Sequence, residues 1–469
     1  MQLKRRRGGK VSQALGLLTA NLLAVGLAHA QAASGPAGDT GAAPPSISDD
    51  DTSDAGDGST RVDSSVLFYQ EAGGRVRAIE PVVNATLSAE DGETLTLGFA
   101  SDILTGATPN GAVPWNQSQT FITPARAPNK SASVTTASGG STLVTIPGGL
   151  TTRQYTTAPN TLPVDKGFRD QRWAFDVGYS SLWDKSTRLS VGGAFSIERD
   201  YTSGSVNAGV VKTLNQNLTT LSASLDFEYD LSRPYFGTPT PFTVMSGNPK
   251  GPDASKTVVS AVLSGTQVMN RVWLAQLSYT IGTTNGYQAD PYRVISVVDA
   301  TSGVPMEYLY EGRPKDRLRQ SLYLANKLAI GPTFADISAR AYHDSWGINS
   351  VTVEASDRIP ITSQLFIEPQ GRYYAQTSAS FFRNYLISGQ ALPQYASSDS
   401  RIGAFSAVTF GAKAGFNFTP NTELYVQGES YRQMGTQHPA GAIGGLANQN
   451  LFSGVSAVSV IAGFTFAFF

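Results

Sequence analysis

The sequence predicts an all-β fold, a transmembrane antiparallel β-barrel of about sixteen strands (range about 14–16) with short periplasmic turns and long extracellular loops. Three observations carry that expectation. Apolar and polar residues alternate along many segments, and the connections between those segments alternate in length. Beyond the N-terminal segment, no apolar run approaches the roughly 20 residues that a spanning helix requires.

The chain opens with Lys4, Arg5, Arg6, Arg7 and Lys10, then an apolar run from Ala14 to Ala28 and the small-residue sites Ala28-His29-Ala30 and Ala30-Gln31-Ala32. This is the pattern of a cleaved secretory signal over 1–32. Residues 33–61 turn to Gly, Ala, Ser, Pro and Asp, a composition that predicts a disordered linker. The cluster Asp49, Asp50, Asp51, Asp54 and Asp57 lacks EF-hand spacing, so no metal is expected there. The barrel is expected over 62–469.

Sixteen segments carry the strand pattern: 63–72, 74–86, 93–104, 169–182, 187–200, 203–213, 217–229, 256–268, 272–283, 316–329, 333–345, 348–357, 362–375, 401–417, 421–433 and 456–469. Leu95, Leu97 and Phe99 interleave with Thr94, Thr96 and Gly98. Trp173, Phe175, Val177 and Tyr179 do so with Arg172, Asp176, Gly178 and Ser180, and Leu221, Ala223, Leu225 and Phe227 with Thr220, Ser222, Asp226 and Glu228. One face is apolar and the other polar, as lipid and lumen require. Numbered from the N-terminus, every even gap is short (87–92, 183–186, 214–216, 269–271, 330–332, 358–361, 418–420), and the long gaps (105–168, 230–255, 284–315, 376–400, 434–455) are all odd. Because periplasmic turns are the short ones, both termini are expected in the periplasm. A soluble β-sandwich or solenoid also alternates. It has no reason to show that parity, nor the 19 Tyr and 22 Phe, nor the ending Phe464, Phe466, Phe468, Phe469. Such an ending suits the barrel-assembly machinery, which is expected to meet the strand that ends at Phe469. Phe468 and Phe469 cannot share one face, which leaves the last register open.

Composition excludes several function classes. Removing the five basic residues of the signal leaves 30 Lys and Arg against 36 Asp and Glu, net −6, so no basic face is available for nucleic acid. With zero cysteines there is no disulfide framework or thiolate chemistry, and only His343 and His438 remain for a metal, so no cofactor or metal is expected. The stretch "DILTGATPNGAVP" from Asp102 sets Gly106 and Gly111 at P-loop spacing, but Ala112 and Val113 stand where Lys and Ser/Thr are needed, and Pro109 removes a donor. Thr105, Gly106, Pro109 and Gly111 instead read as turn chemistry at the outer rim, and with Asp102 at the end of the preceding strand they fix how the longest loop, 105–168, departs. That loop is expected either to fold inward as a constriction or to stand as a surface loop, with "SVTTASGGSTLVTI" (133–146) as a hairpin around Gly139-Gly140.

Six segments together resemble one family: "FYQEAGGRVRAIEP" (68–81), "DILTGATPNGA" (102–112), "FSIERDYTSG" (195–204), "GYQADPYR" (286–293), "YEGRPKDRLRQS" (310–321) and "YHDSWGINSVTVE" (342–354). The chain is similar to the outer-membrane barrels grouped as the domain of unknown function DUF3570. The resemblance implies a barrel in the bacterial outer membrane, in contact with its lipid and lipopolysaccharide, and supplies no substrate.

With apolar positions on lipid, the lumen face collects Arg317, Arg319 and Lys327, then Asp336, Arg340 and Asp344, then Glu354, then Glu368 and Arg372. Asp176, Glu198, Asp226, Glu228 and Glu429 add carboxylates elsewhere. Strands lie about 4.8 Å apart, so adjacent rows can form a salt-bridge lattice, or the arginines can face Asp336, Glu354 and Glu368 across the lumen. Such an interior suits a porin-like channel for small polar or charged solutes. A closed structural or interaction barrel is the alternative, with Tyr287, Tyr292, Arg293, Tyr308, Tyr310 and Arg313 of loop 284–315 as a recognition surface. An outer-membrane hydrolase is disfavoured: His343-Asp344-Ser345 looks like a triad, but neighbours along a strand point to opposite faces, and no nucleophile elbow accompanies His438.

Overall fold

The computed structural model describes residues 58–124, 141–146, 150–235, 237–245 and 251–468. The signal, nearly all of the linker and Phe469 lie outside them. Sixteen strands form the wall: β1 Thr60–Glu71, β2 Arg77–Ser88, β3 Thr94–Pro109, β4 Val164–Asp184, β5 Thr187–Ile197, β6 Tyr201–Leu214, β7 Thr219–Ser232, β8 Ala254–Asn270, β9 Trp273–Gly286, β10 Asp316–Ile330, β11 Thr333–Asp344, β12 Asn349–Pro360, β13 Leu365–Gln376, β14 Phe405–Thr419, β15 Thr422–Met434 and β16 Ser456–Phe468. Each pairs with its neighbours in sequence, and β1 pairs antiparallel with β16, Thr60 opposite Phe468, which closes the cylinder. Closure leaves no edge, the condition for sheet inside a membrane. Strand 1 begins two residues before the expected barrel boundary at 62.

Alternation builds the wall. Leu225 and Phe227 of β7, Leu322 and Leu324 of β10, Val426 and Leu424 of β15, and Phe464, Phe466 and Phe468 of β16 are all exposed on the outside, with polar residues between them facing in. β16 runs in register with β1 up to Phe468 and with β15 up to Phe466, which fixes the register that the sequence left open. The even connections are tight, as expected. In the turn after β6, Asn215, Gln216 and Asn217 adopt φ of 53°, 56° and 67°, a left-handed conformation that asparagine tolerates best among residues with a side chain.

One boundary differs from expectation in an instructive way. Thr105, Gly106 and Pro109 are not turn residues, because β3 continues to Pro109 and pairs with β4 as far as Val164. A register shift between Gly106 and Thr108 absorbs the irregularity, and Gly106 takes φ 132° where a Cβ would lie 2.4 Å from the Arg75 carbonyl oxygen. Glycine there marks a bulge and a close approach, not a turn. The longest connection is therefore 110–163. Within it Ser141–Ile146 pairs with Leu150–Thr157. The hairpin expected around Gly139-Gly140 lies outside the described residues.

The long connections do not hang free. Val294–Val298 pairs antiparallel with Pro305–Tyr310 and parallel with Leu386–Ile387, while Leu150–Thr157 lies between Gln119–Pro124 and Ser141–Ile146. Phe121, Tyr155, Ala112, Val294 and Tyr310 share one apolar core; Val113, Trp115, Val298 and Leu446 share another. These residues come from the β3–β4, β9–β10 and β15–β16 connections, which leave the wall at well-separated points of its circumference. To meet, they must bridge the mouth, so the long-loop end carries a plug built from its own loops.

Candidate functional site

The inner wall presents the residues expected there. Arg317, Arg319 and Lys327 of β10, Asp336, Arg340 and Asp344 of β11, Glu354 of β12, and Glu368 and Arg372 of β13 all lie on the face opposite the exposed apolar residues of their strands. Their partners sit on adjacent strands rather than across the lumen: Arg317–Asp344 at 2.6 Å, Arg372–Glu354 at 2.8 Å and Lys327–Asp336 at 3.9 Å. Strand spacing decides this, since an arginine spans one inter-strand gap but not the bore of a sixteen-strand cylinder. Arg319 reaches Thr284 on β9, and the Arg340 guanidinium lies 5.5 Å from the centre of the Tyr323 ring. Glu368 stands opposite Lys413 of β14.

The pairs differ in their surroundings. Arg317 and Asp344 are sealed, with Tyr342 donating to Asp344 at 2.8 Å and the Trp346 ring 4.1 Å from the guanidinium. Arg372 and Glu354 keep 47% and 34% of their side-chain surface, which places them on open space inside the wall. Sequence reasoning missed Arg358 and Lys413, which both pair with Glu423 and lie against the Phe366 ring. Lys413 was legible, since it lies between Ala412 and Ala414 on the face opposite the exposed Phe410. The opposite side, β3 to β8, is acidic: Asp102 pairs with Arg172 and Asp230 with Lys256 (3.2 Å), while Asp176, Glu198, Asp226 and Glu228 add further inward carboxylates.

Above this lumen, the plug has a charged centre. Asp399 receives Arg401 at 2.7 Å and Arg313 at 2.8 Å, with Arg293 at 3.5 Å. Arg313 also meets Glu311 at 2.9 Å, Ser397 donates to Glu311, and Asp290 lies 3.6 Å from Arg293. Three guanidinium groups thus face three carboxylates. Burial pushes the Asp399 carboxyl up, but Arg293, Arg401 and Arg313 outweigh it and hold it well below the ordinary range. Gly111 docks the longest loop on this centre: at φ 95° its Cβ would lie 2.2 Å from the Val294 carbonyl oxygen, and Ser398 donates to the carbonyls of Gly111 and Val294 at 2.7 and 3.0 Å.

Burial corrects one expectation. Tyr310 is buried, and the Arg293 and Arg313 side chains retain only 8% of their surface, so these residues build the plug instead of a recognition surface. His343 points outward and contacts Asn349, Asp344 points inward to Arg317, and Ser345 accepts from the Leu318 amide, so the three do not converge. Among the described residues no cluster of metal-ligating side chains occurs.

Several solved barrels are similar at low identity. A bacterial polysaccharide outer membrane secretin matches 87% of this chain and 98% of its own at 8% identity and TM-score 0.40. OccAB1 of Acinetobacter baumannii matches 88% and 96% at 7% and 0.37. A mutant ferric enterobactin receptor of Pseudomonas aeruginosa matches 88% of this chain but 60% of its own, at 10% and 0.39. At these scores the likenesses carry no functional information. No curated protein matches the chain. Its own geometry, a closed barrel with an apolar outer wall, is of the outer-membrane type, and the profile of the family described as "Protein of unknown function (DUF3570)" matches residues 30–468, so the chain belongs to that family.

Proposed function

We propose that the protein is a porin-like channel of the bacterial outer membrane that passes small polar or charged solutes, with both termini in the periplasm and the loop plug on the cell exterior. The carrying observation is the exposure of Arg372 and Glu354, paired yet open on the inner wall. Charged groups kept open inside a cylinder of sixteen strands suit a hydrated lumen. The facing walls differ in charge, acidic over β3 to β8 and cation-bearing over β10 to β14, which creates a transverse field that sorts solutes by charge and dipole. No catalytic role is assigned to His343 or His438.

Purified protein in planar bilayers should give discrete conductance steps, and replacing Arg319, Arg340 and Arg372 together with alanine should shift the reversal potential toward cation preference. An unchanged reversal potential would overturn the role given to these arginines. A second reading, a closed barrel whose interlocked loops serve structure alone, is favoured by the depth of the plug core, where Val294, Ile295 and Val298 are fully buried. Correctly folded protein that inserts and never conducts would select it.

A further inference from the structure

The outer wall carries a row of arginines that neither lumen nor plug uses. At the long-loop end, Thr105 of β3 stands directly opposite both Arg77 of β2 and Arg169 of β4. All three follow the outward alternation of Ile79, Ile103 and Trp173, the exposed apolar residues below them. Arg199 continues the row, two residues beyond Ile197, which pairs with Trp173. On the other side, past β1 and β16, Arg432 of β15 shares the outward face of Val426 and Leu424. The four arginines are exposed, and among the described residues none has a carboxylate partner. At the corresponding level β9 to β12 present Asn285, Leu318, His343 and Asn349, with no lysine or arginine.

A guanidinium at the top of an apolar band is expensive in hydrocarbon and favourable beside phosphate, where its fork makes paired charge-assisted hydrogen bonds. Arg77 and Arg169 lie two strands apart, roughly 10 Å, with Thr105 between them as a hydroxyl donor. We propose that this row binds the phosphorylated headgroup of lipopolysaccharide, the acyl chains lying over Ile79, Ile103 and Trp173. The assignment of the outer leaflet rests on the orientation proposed above.

The test uses the folded full-length barrel in detergent, with bound lipid measured by native mass spectrometry. Lipopolysaccharide should be retained by the wild type, and about ten-fold more weakly by the fourfold variant Arg77→Gln, Arg169→Gln, Arg199→Gln, Arg432→Gln, since each exposed contact contributes little alone. The matching fourfold Arg→Lys variant should keep most of the binding, and enzymatically dephosphorylated lipopolysaccharide should bind no better than the glutamine variant. Equal retention by wild type and glutamine variant overturns the proposal. So does phosphatidylglycerol bound as tightly and lost on the same substitutions, because the site would then be one for any anionic lipid. Orientation is read separately. The chain has no cysteine, so Gln390→Cys gives one label site, and labelling only after permeabilisation of cells would reject the orientation without touching the binding result.

Discussion

Replacing Asp399 with asparagine is expected to loosen the plug while leaving the barrel wall intact. Asparagine preserves shape and can still accept from the Arg401 amide, which donates to Asp399 at 3.0 Å. What disappears is the charge, leaving three guanidinium groups against Asp290 and Glu311. Breaking a buried pair by removing one partner costs about 3–5 kcal/mol, because the other charge stays buried without compensation. Arg401 is partly exposed and tolerates this; Arg293 and Arg313, which keep only 8% of their side-chain surface, do not. The variant should show faster proteolysis within 377–404 and a larger, noisier single-channel conductance. Its heat-modifiable gel mobility should be unchanged, since the sixteen-strand ladder does not involve this centre. Proteolysis and conductance equal to wild type would remove the cluster from any role in holding the plug. The pH dependence has a definite sign. A carboxyl held below its ordinary value contributes stability that is complete above the ordinary pKa of about 3.9 and lost as pH falls through the lower folded value. Wild-type conductance should therefore be flat between pH 8 and pH 5 as far as this cluster is concerned.

Deleting residues 113–160 should have the larger effect, a several-fold rise in conductance, because conductance follows the narrowest section of a pore. The deletion removes Trp115, Phe121 and Tyr155, which fill the plug against Val294, Tyr310 and Leu446. The gap closes easily: the Asn110 amide already donates to the Pro163 carbonyl at 3.1 Å, so the six residues left between β3 and β4 need only a tight turn. Circular dichroism and gel mobility should report an intact barrel. Wild-type conductance from a correctly inserted deletion variant would show that this loop does not limit passage.

The wall was legible in the sequence and the plug was not, for reasons that lie in the residues. A membrane strand has two solvents, lipid and lumen, and the contrast is written at period two, so the outward position of His343 and the inward positions of Arg317 and Asp336 follow from their neighbours alone. Ionic partners follow less directly, since Arg317 and Asp344 are joined by a register that alternation cannot supply. In the plug both faces of a segment are covered. Val294 to Val298 is a buried central strand, yet inside a long loop with Tyr and Arg on either side it carries no periodic signal. Gly106 and Pro109 misled for a different reason: both suit turns, and here the freedom of Gly106 serves a bulge while Pro109, with no N–H to give the ladder, stands at a strand end.

The contrast between wall and plug also sets an order of events. Except for the seam between β1 and β16, every wall pairing joins strands adjacent in sequence, so the cylinder can grow hairpin by hairpin. Plug contacts span far greater distances: Val113 with Ser296 across 183 residues and Gly111 with Ser398 across 287. Contacts of that sequence separation carry a large closure entropy until the intervening chain is already ordered. The wall strands between two loops must therefore pair before those loops can interlock, and every molecule passes through a wall not yet plugged on the way to its finished form, a transient that the Asp399 and 113–160 variants would hold in permanence.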